Sequence, residues 1–188
     1  SDLFNWGQTG VGQLRVLPKS TGAGRPGPRE ISNAVLDQDF VVTNDRFLSE
    51  LTTFFGQFID HDLVETPTNP LEPSPIPVPA GDPDVLPPGA TSLPFFKSEA
   101  EQGEPLNEVS SFIDGSAIYG SSDERAKLLR LFKFGKLLTD KDDLLPPNTP
   151  GAPNQPADTP DFFLAGDIRA NENVFLTALH TIFEIGRA

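Results

Sequence analysis

The sequence predicts a mainly α-helical chain, a few helices joined by long proline-rich loops with little or no β-structure. Three observations predict it. Phe47, Leu48, Leu51, Phe54, Phe55, Phe58 and Ile59 recur at one, three and four residues, a continuous helical stripe. Prolines number 20, ten of them between Thr66 and Pro94, a density that no helix or central strand survives. Alternating apolar and polar runs, the mark of half-buried strands, are sparse. At 188 residues the chain suffices for one domain with a real core, and a single domain over 1–188 is expected.

Residues 1–30 are rich in Gly, Pro and Ser and read as an irregular N-terminal arm, anchored by Trp6 and by Leu14, Val16 and Leu17. From Pro28 to Leu36 a short helix is expected. Pro28 suits its first turn, and Ile31, Ala34 and Val35 share a face. Thr43, Asn44 and Asp45 offer capping side chains for the main helix. Residues 66–94 form a proline-rich surface loop of polyproline character. A polar, turn-like stretch, 107–120, follows. Ser121-Ser-Asp-Glu124 is a capping box. It opens a helix with Ala126, Leu128, Leu129 and Phe132 inward and Lys127, Arg130 and Lys133 outward, stopped by Gly135. After an Asp- and Pro-rich loop, a Gly166-Asp167 turn leads to a last helix whose core face is Val174, Phe175, Ala178, Leu179 and Ile182.

The formal charge of −13 argues against nucleic acid or an anionic membrane as a partner. No cysteine is present, so disulfides and thiolate chemistry are excluded. No apolar run approaches 18 residues, so no membrane span is expected, and no signal peptide is visible. The chain also has no methionine, and we expect a processed or excised piece.

Polar residues that could carry chemistry gather in three stretches. In FFGQFIDHDL, Gln57, Asp60 and His61 lie along one edge of the helical stripe and Asp62 points to the other side. A lone helical histidine is more often structural. Zinc is a poor alternative, with two histidines and no cysteine in the chain. In SSFIDGS, Ser110, Asp114 and Ser116, with Asp62, supply hard oxygen ligands suited to Ca²⁺, though on chemistry alone a capped polar turn is the favoured account of that spacing. In GDIRANE, Arg169 precedes Glu172 by three residues. That is either an exposed ion pair or an arginine aimed into a cleft.

Taken in order, FGQFIDHDL, SSFIDGSAIYGS and FLAGDIRANE resemble the animal-type haem peroxidases, the peroxidase–cyclooxygenase superfamily. The opening stretch, NWGQTGVGQLRV through GRPGPREISN, is similar to short bacterial members. The resemblance implies oxidation of small organic donors or halide by H₂O₂. It makes His61 the distal histidine, which moves the peroxide proton. Arg169 becomes the distal arginine, which stabilises charge as the O–O bond breaks, and Gln57 the glutamine beside the histidine. Asp60 and Glu172 match the carboxylates that form ester bonds to haem methyl groups in mammalian relatives, so haem b is the expected cofactor. Calcium is implied at Asp62, Ser110, Phe112 (through its carbonyl), Asp114 and Ser116. There it would pin the histidine's helix to the loop. The family also implies a secreted or extracellular place.

Two departures accompany the resemblance. Asn173 stands where one mammalian member has a methionine linked to haem, which excludes a sulfonium bond here. The family's proximal histidine lies on a later helix, beyond the last motif. His180 sits eleven residues past Arg169, about 16 Å along a continuous helix, and matches a helix histidine of the family rather than an iron ligand. The 188 residues are therefore expected to be the distal half, with a second chain or a further C-terminal part supplying the proximal side. The alternative is a calcium-binding, peroxidase-like structural or interaction module without full activity.

Overall fold

The computed structural model describes residues 24–37, 40, 42–82, 84–85, 87–101 and 104–185. Most of the N-terminal arm, with Trp6, Leu14, Val16 and Leu17, lies outside them. In chain order the elements are α1 (Pro28–Leu36), α2 (Leu51–Leu63), β1 (Thr68–Pro73), β2 (Ile76–Pro77), β3 (Ser92–Leu93), β4 (Phe96–Ser98), β5 (Ala100–Glu101), β6 (Glu104–Pro105), α3 (Ser116–Tyr119), α4 (Asp123–Leu129) and α5 (Val174–Ile185). The chain is mainly α, as its pattern predicts. Its contacts group into two compact units.

One unit holds residues 24–47 and 66–106. Here α1 forms where expected, with Pro28 in its first turn, but none of its residues is buried. Arg29 donates two hydrogen bonds to Asp82 (2.6 and 2.7 Å), and Asn33 donates a third (2.8 Å). The 66–94 stretch is not loop alone. It contributes β1, β2 and β3 to antiparallel pairs: β1 with β4 (Thr68 opposite Ser98) and β2 with β3 (Ile76 opposite Leu93). β5 pairs with β6. Each sheet has two strands, so every strand is an edge, where a residue without an N–H is tolerated. That is how strands persist at this proline density.

The other unit holds residues 48–65 and 107–185 and contains the three motif stretches. α2 begins later than its apolar stripe. Asn44 accepts a hydrogen bond from the Arg46 N–H at 2.8 Å, and Phe47 adopts φ 55° and is 96% exposed. The Thr43–Asp45 polar group thus closes a turn of its own rather than capping α2. From Leu51 onward Phe58 is buried, and it packs with Leu176 and Leu179 of α5, flanked by Phe54, Ile59 and Ile118. Phe54 stacks on Phe175 (4.5 Å) and Phe58 on Phe183 (4.8 Å). Ile118 also joins a second cluster, Leu129 with Leu137 and Leu164.

Two helices differ from the pattern. α4 is capped by Ser122, which accepts from the Arg125 N–H at 3.1 Å, and it ends at Leu129 rather than running to Gly135. A tight reversal through Phe132 and Phe134, both at positive φ, brings Leu137 back beside Leu129. Burying two leucines together outweighs continuing the helix, and Phe132 is left 78% exposed. α5 is rotated from its predicted face. Leu176, Leu179, His180 and Glu184 are buried, while Val174, Phe175 and Ile182 are exposed. Ala178 is exposed as well. Hydropathy alone mis-sets this phase because the buried stripe includes two titratable side chains.

Candidate functional site

The last two turns of α2 carry Gln57, Asp60, His61 and Asp62. His61 and Asp62 are both buried. Helical geometry sends them to different neighbours, as the spacing predicts. Asp60 is exposed.

His61 faces the turn that leads into α5. Its Nδ1 is 3.7 Å from Asp167 Oδ1, and its Nε2 is 3.6 Å from Glu172 Oε2. Burial, then the nearby Arg169 charge, holds the imidazole below the usual histidine range, so it is neutral at pH 7. Glu172 Oε2 accepts a hydrogen bond from Gln57 Nε2 at 2.7 Å, and Gln57 Oε1 accepts one from Asn173 Nδ2 at 2.9 Å. Gln57, His61 and Glu172 are therefore brought together, with Asn173 beside them.

Arg169 takes a different partner from the one its spacing suggests. Its Nε and Nη2 donate to the two oxygens of Asp167 (3.0 and 2.7 Å), not to Glu172. Its Nη1 donates to the Val64 carbonyl (2.9 Å) and its Nη2 also to the His61 carbonyl (3.1 Å), at the C-terminal end of α2. Burial works against the guanidinium charge, but the Asp167 carboxylate more than offsets it, and Arg169 is held above its ordinary range. The separation expected along a continuous helix does not apply to His180, because the chain turns through 170–173 and α5 begins only at Val174. His180 is buried edge-on against Phe58, with ring centroids 4.9 Å apart.

Asp167 was not among the residues singled out from the sequence. It is buried, binds Arg169 and flanks His61. Its own N–H donates to the Ala117 carbonyl at 2.9 Å. Gly166 makes this approach possible, since a Cβ there would overlap the Ala117 carbonyl. The Gly-Asp pair reads as a turn in sequence, and nothing local reveals that it docks on α3.

On the other side of α2, Asp62 Oδ1 accepts from the Ala117 N–H (2.9 Å) and the Ser116 hydroxyl (3.2 Å), and Oδ2 from the Gly115 N–H (3.0 Å). Ser110 Oγ donates to Asp114 Oδ2 at 2.6 Å and lies 3.3 Å from the Phe112 carbonyl. Burial pushes the Asp114 carboxyl up, but hydrogen bonds from Ser110 and Ser116 outweigh it and hold it below the usual range. The five oxygen donors expected around calcium thus lie on one short loop and the helix it touches. They include two carboxylates. Among the described residues no group of three or more His, Cys, Asp or Glu side chains forms a metal site.

A separate cavity of about 270 Å³ is lined by Glu65, Glu124, Arg125 and Asp167, among others, but not by His61. Among the described residues no helix is long and apolar enough to cross a membrane.

Comparison with known proteins gives the context for this geometry. The family model described as Animal haem peroxidase matches residues 7–184, and the chain belongs to that family. Peroxinectin A of Dictyostelium discoideum is 31% identical over 181 residues, covering 82% of this chain and 34% of its own length. Thyroid peroxidase of Sus scrofa is 30% identical, covering 97% of this chain and 27% of its own length. Among solved structures, peroxidase A from Dictyostelium discoideum superposes with a TM-score of 0.70 at 26% identity, over 95% of this chain and 39% of that one. The chain therefore spans about a third or less of the length of these curated relatives. They lend no support to the bacterial likeness of the opening stretch.

Proposed function

We propose that this chain is the distal half of a haem peroxidase that oxidises small organic donors or halide with H₂O₂. The observation that carries the reading is the meeting of Gln57 and His61 of α2 with Glu172 of the turn before α5, in a chain of the animal haem peroxidase family. Haem b, when bound, supplies the electrons that reduce peroxide and the oxidising capacity passed to the second substrate.

The residues present fit such a group. His61 Nε2 lies 3.6 Å from the Glu172 carboxylate, which is exposed, and Asp60, the residue before His61, presents a second exposed carboxylate. Asp60 and Glu172 would hold the haem, as ester links or as polar contacts. His61, neutral at working pH, takes a proton from H₂O₂ at Nε2, the ring nitrogen on the Glu172 and Gln57 side, and returns it to the leaving oxygen. Arg169 supplies fixed positive charge as negative charge develops on oxygen. Gln57 holds water, peroxide or an anion beside His61. Asp62, Ser110, Phe112, Asp114 and Ser116 fit Ca²⁺ by donor type, all hard oxygens, and Asp62 would tie that ion to the helix of His61. A second chain or a further C-terminal part supplies the proximal histidine. The residues 1–188 act as one distal module in a secreted or extracellular protein.

Loading the protein with haem in the presence of free imidazole, which stands in for the proximal histidine, tests this. A Soret band and a reaction with peroxide are expected, with His61→Ala slowing that reaction by about 10²–10⁴-fold while haem is retained. A protein that takes up no haem, or an alanine variant as fast as the parent, overturns the reading. Calcium-dependent stability without haem uptake would instead favour the structural-module alternative.

A further inference from the structure

We propose that Asn173 is a positioning residue for Gln57: from the end opposite Glu172, it holds the Gln57 amide with its nitrogen toward Glu172 and His61. The consequence for ligand binding rests on the peroxidase reading above; the positioning itself does not.

The argument starts from a group that cannot be turned round. A backbone N–H only donates. The Leu176 N–H, at the third position of α5, lies 2.9 Å from Asn173 Oδ1. That commits the oxygen of the Asn173 amide to the helix end, the ordinary work of an asparagine N-cap. The nitrogen must then face the other way, and Nδ2 lies 2.9 Å from Gln57 Oε1. Gln57 is thereby committed in turn. Its oxygen faces Asn173, and its Nε2 lies 2.7 Å from Glu172 Oε2. An ionised carboxylate only accepts, so the far end of the chain agrees with the near end. Reversing the Gln57 amide would set N–H against N–H at Asn173 and oxygen against oxygen at Glu172.

The orientation matters because Glu172 Oε2 is also 3.6 Å from His61 Nε2. With the Oε1 end turned to Asn173 and one Nε2 hydrogen bonded to Glu172, the group left at the end of the amide nearer His61 is the second Nε2 hydrogen; the remaining Oε1 lone pair lies at the Asn173 end. Gln57 thus recognises an acceptor atom, a peroxide oxygen or an anion, in preference to a donor.

Asp and Ser both accept at an N-cap as Asn does, but neither can donate from Nδ2. Asn173→Asp therefore keeps the cap but faces Gln57 Oε1 with an acceptor, so the amide is caught between two acceptors and loses its fixed orientation. Asn173→Ser keeps the cap and removes the contact. The direct readout is the Gln57 side-chain amide resonance in haem-free protein. Both variants are expected to shift it and to speed exchange of its hydrogens about tenfold, with the melting temperature within a few degrees of the parent. In haem-loaded protein, with bromide as the anion probe, Asn173→Asp is expected to weaken binding about tenfold, and to do so far less when Gln57 is already alanine. An unmoved Gln57 resonance in both variants, or a bromide effect equal in the two backgrounds, overturns the proposal and leaves Asn173 a helix cap only. A moved resonance in a protein that shows no peroxide reaction upholds the positioning while the peroxidase reading fails.

Discussion

Glu184 and His180 are one helical turn apart on α5, both buried, and both held neutral near pH 7. Desolvation pushes Glu184 up to about 8, against its ordinary 4.5, with the distant Arg125 charge opposing. Desolvation pushes His180 down to about 4, from 6.5. The raised Glu184 contributes stability that is fully present below pH 4.5 and lost as pH rises through 8. The depressed His180 contributes stability present above pH 6.5 and lost as pH falls through 4. The two oppose each other between 4.5 and 6.5. Between 6.5 and 8 Glu184 acts alone, and stability is expected to fall by about 2 kcal/mol across that window. Glu184→Gln should flatten that fall, as measured by urea denaturation at each pH. Sequence reasoning located Gln57, His61, Arg169 and Glu172 through their motifs, but it could not see this pair. Their buried face is set by packing against Phe58, and a hydropathy stripe assigns glutamate and histidine to solvent. Asn173 had a legible signal as an asparagine immediately before an apolar helix.

At the scale of elements, the phase of α5 and the docking of the Gly166-Asp167 turn decide the site. Leu176 is fully buried between α2 and α5, whereas Ile182 is 64% exposed. Leu176→Ala is expected to cost about 2–5 kcal/mol and Ile182→Ala under about 1 kcal/mol, read from chemical denaturation. Equal costs would return α5 to the face that periodicity suggests. Gly166→Ala forces a Cβ into the Ala117 carbonyl and breaks the Asp167–Ala117 hydrogen bond. A loss of about 3 kcal/mol is expected, together with a displaced Arg169. The late start of α2 and the early end of α4 share one lesson. Apolar periodicity continues through Phe47 and Phe132, but both adopt positive φ in turns that serve other contacts.

On the largest scale, within the unit of residues 48–65 and 107–185, hydrogen bonds link segments far apart in sequence. Asp62 holds the loop at 115–117, Ala117 holds Asp167, and Arg169 returns to the carbonyls of His61 and Val64. Calcium bound at Asp62 and the 110–116 loop would strengthen this ring as a unit. Added Ca²⁺ at about 100 times its dissociation constant is expected to raise stability by about 2.7 kcal/mol, seen as a higher melting temperature than in chelator. Asp114→Ala should abolish the difference. An unchanged melting temperature in both conditions removes calcium from the proposal. The mainly helical class, the existence and approximate place of α1, α2, α4 and α5, and the three motif stretches are legible from residue order alone. These follow from periodicity, capping residues and side-chain chemistry, which are local. It took the folded chain to reveal that Arg169 binds Asp167, that α5 turns His180 and Glu184 inward, and that proline-rich segments pair as edge strands. Each of those depends on which distant surface a side chain or an N–H meets, and burial against that surface overrides local preference.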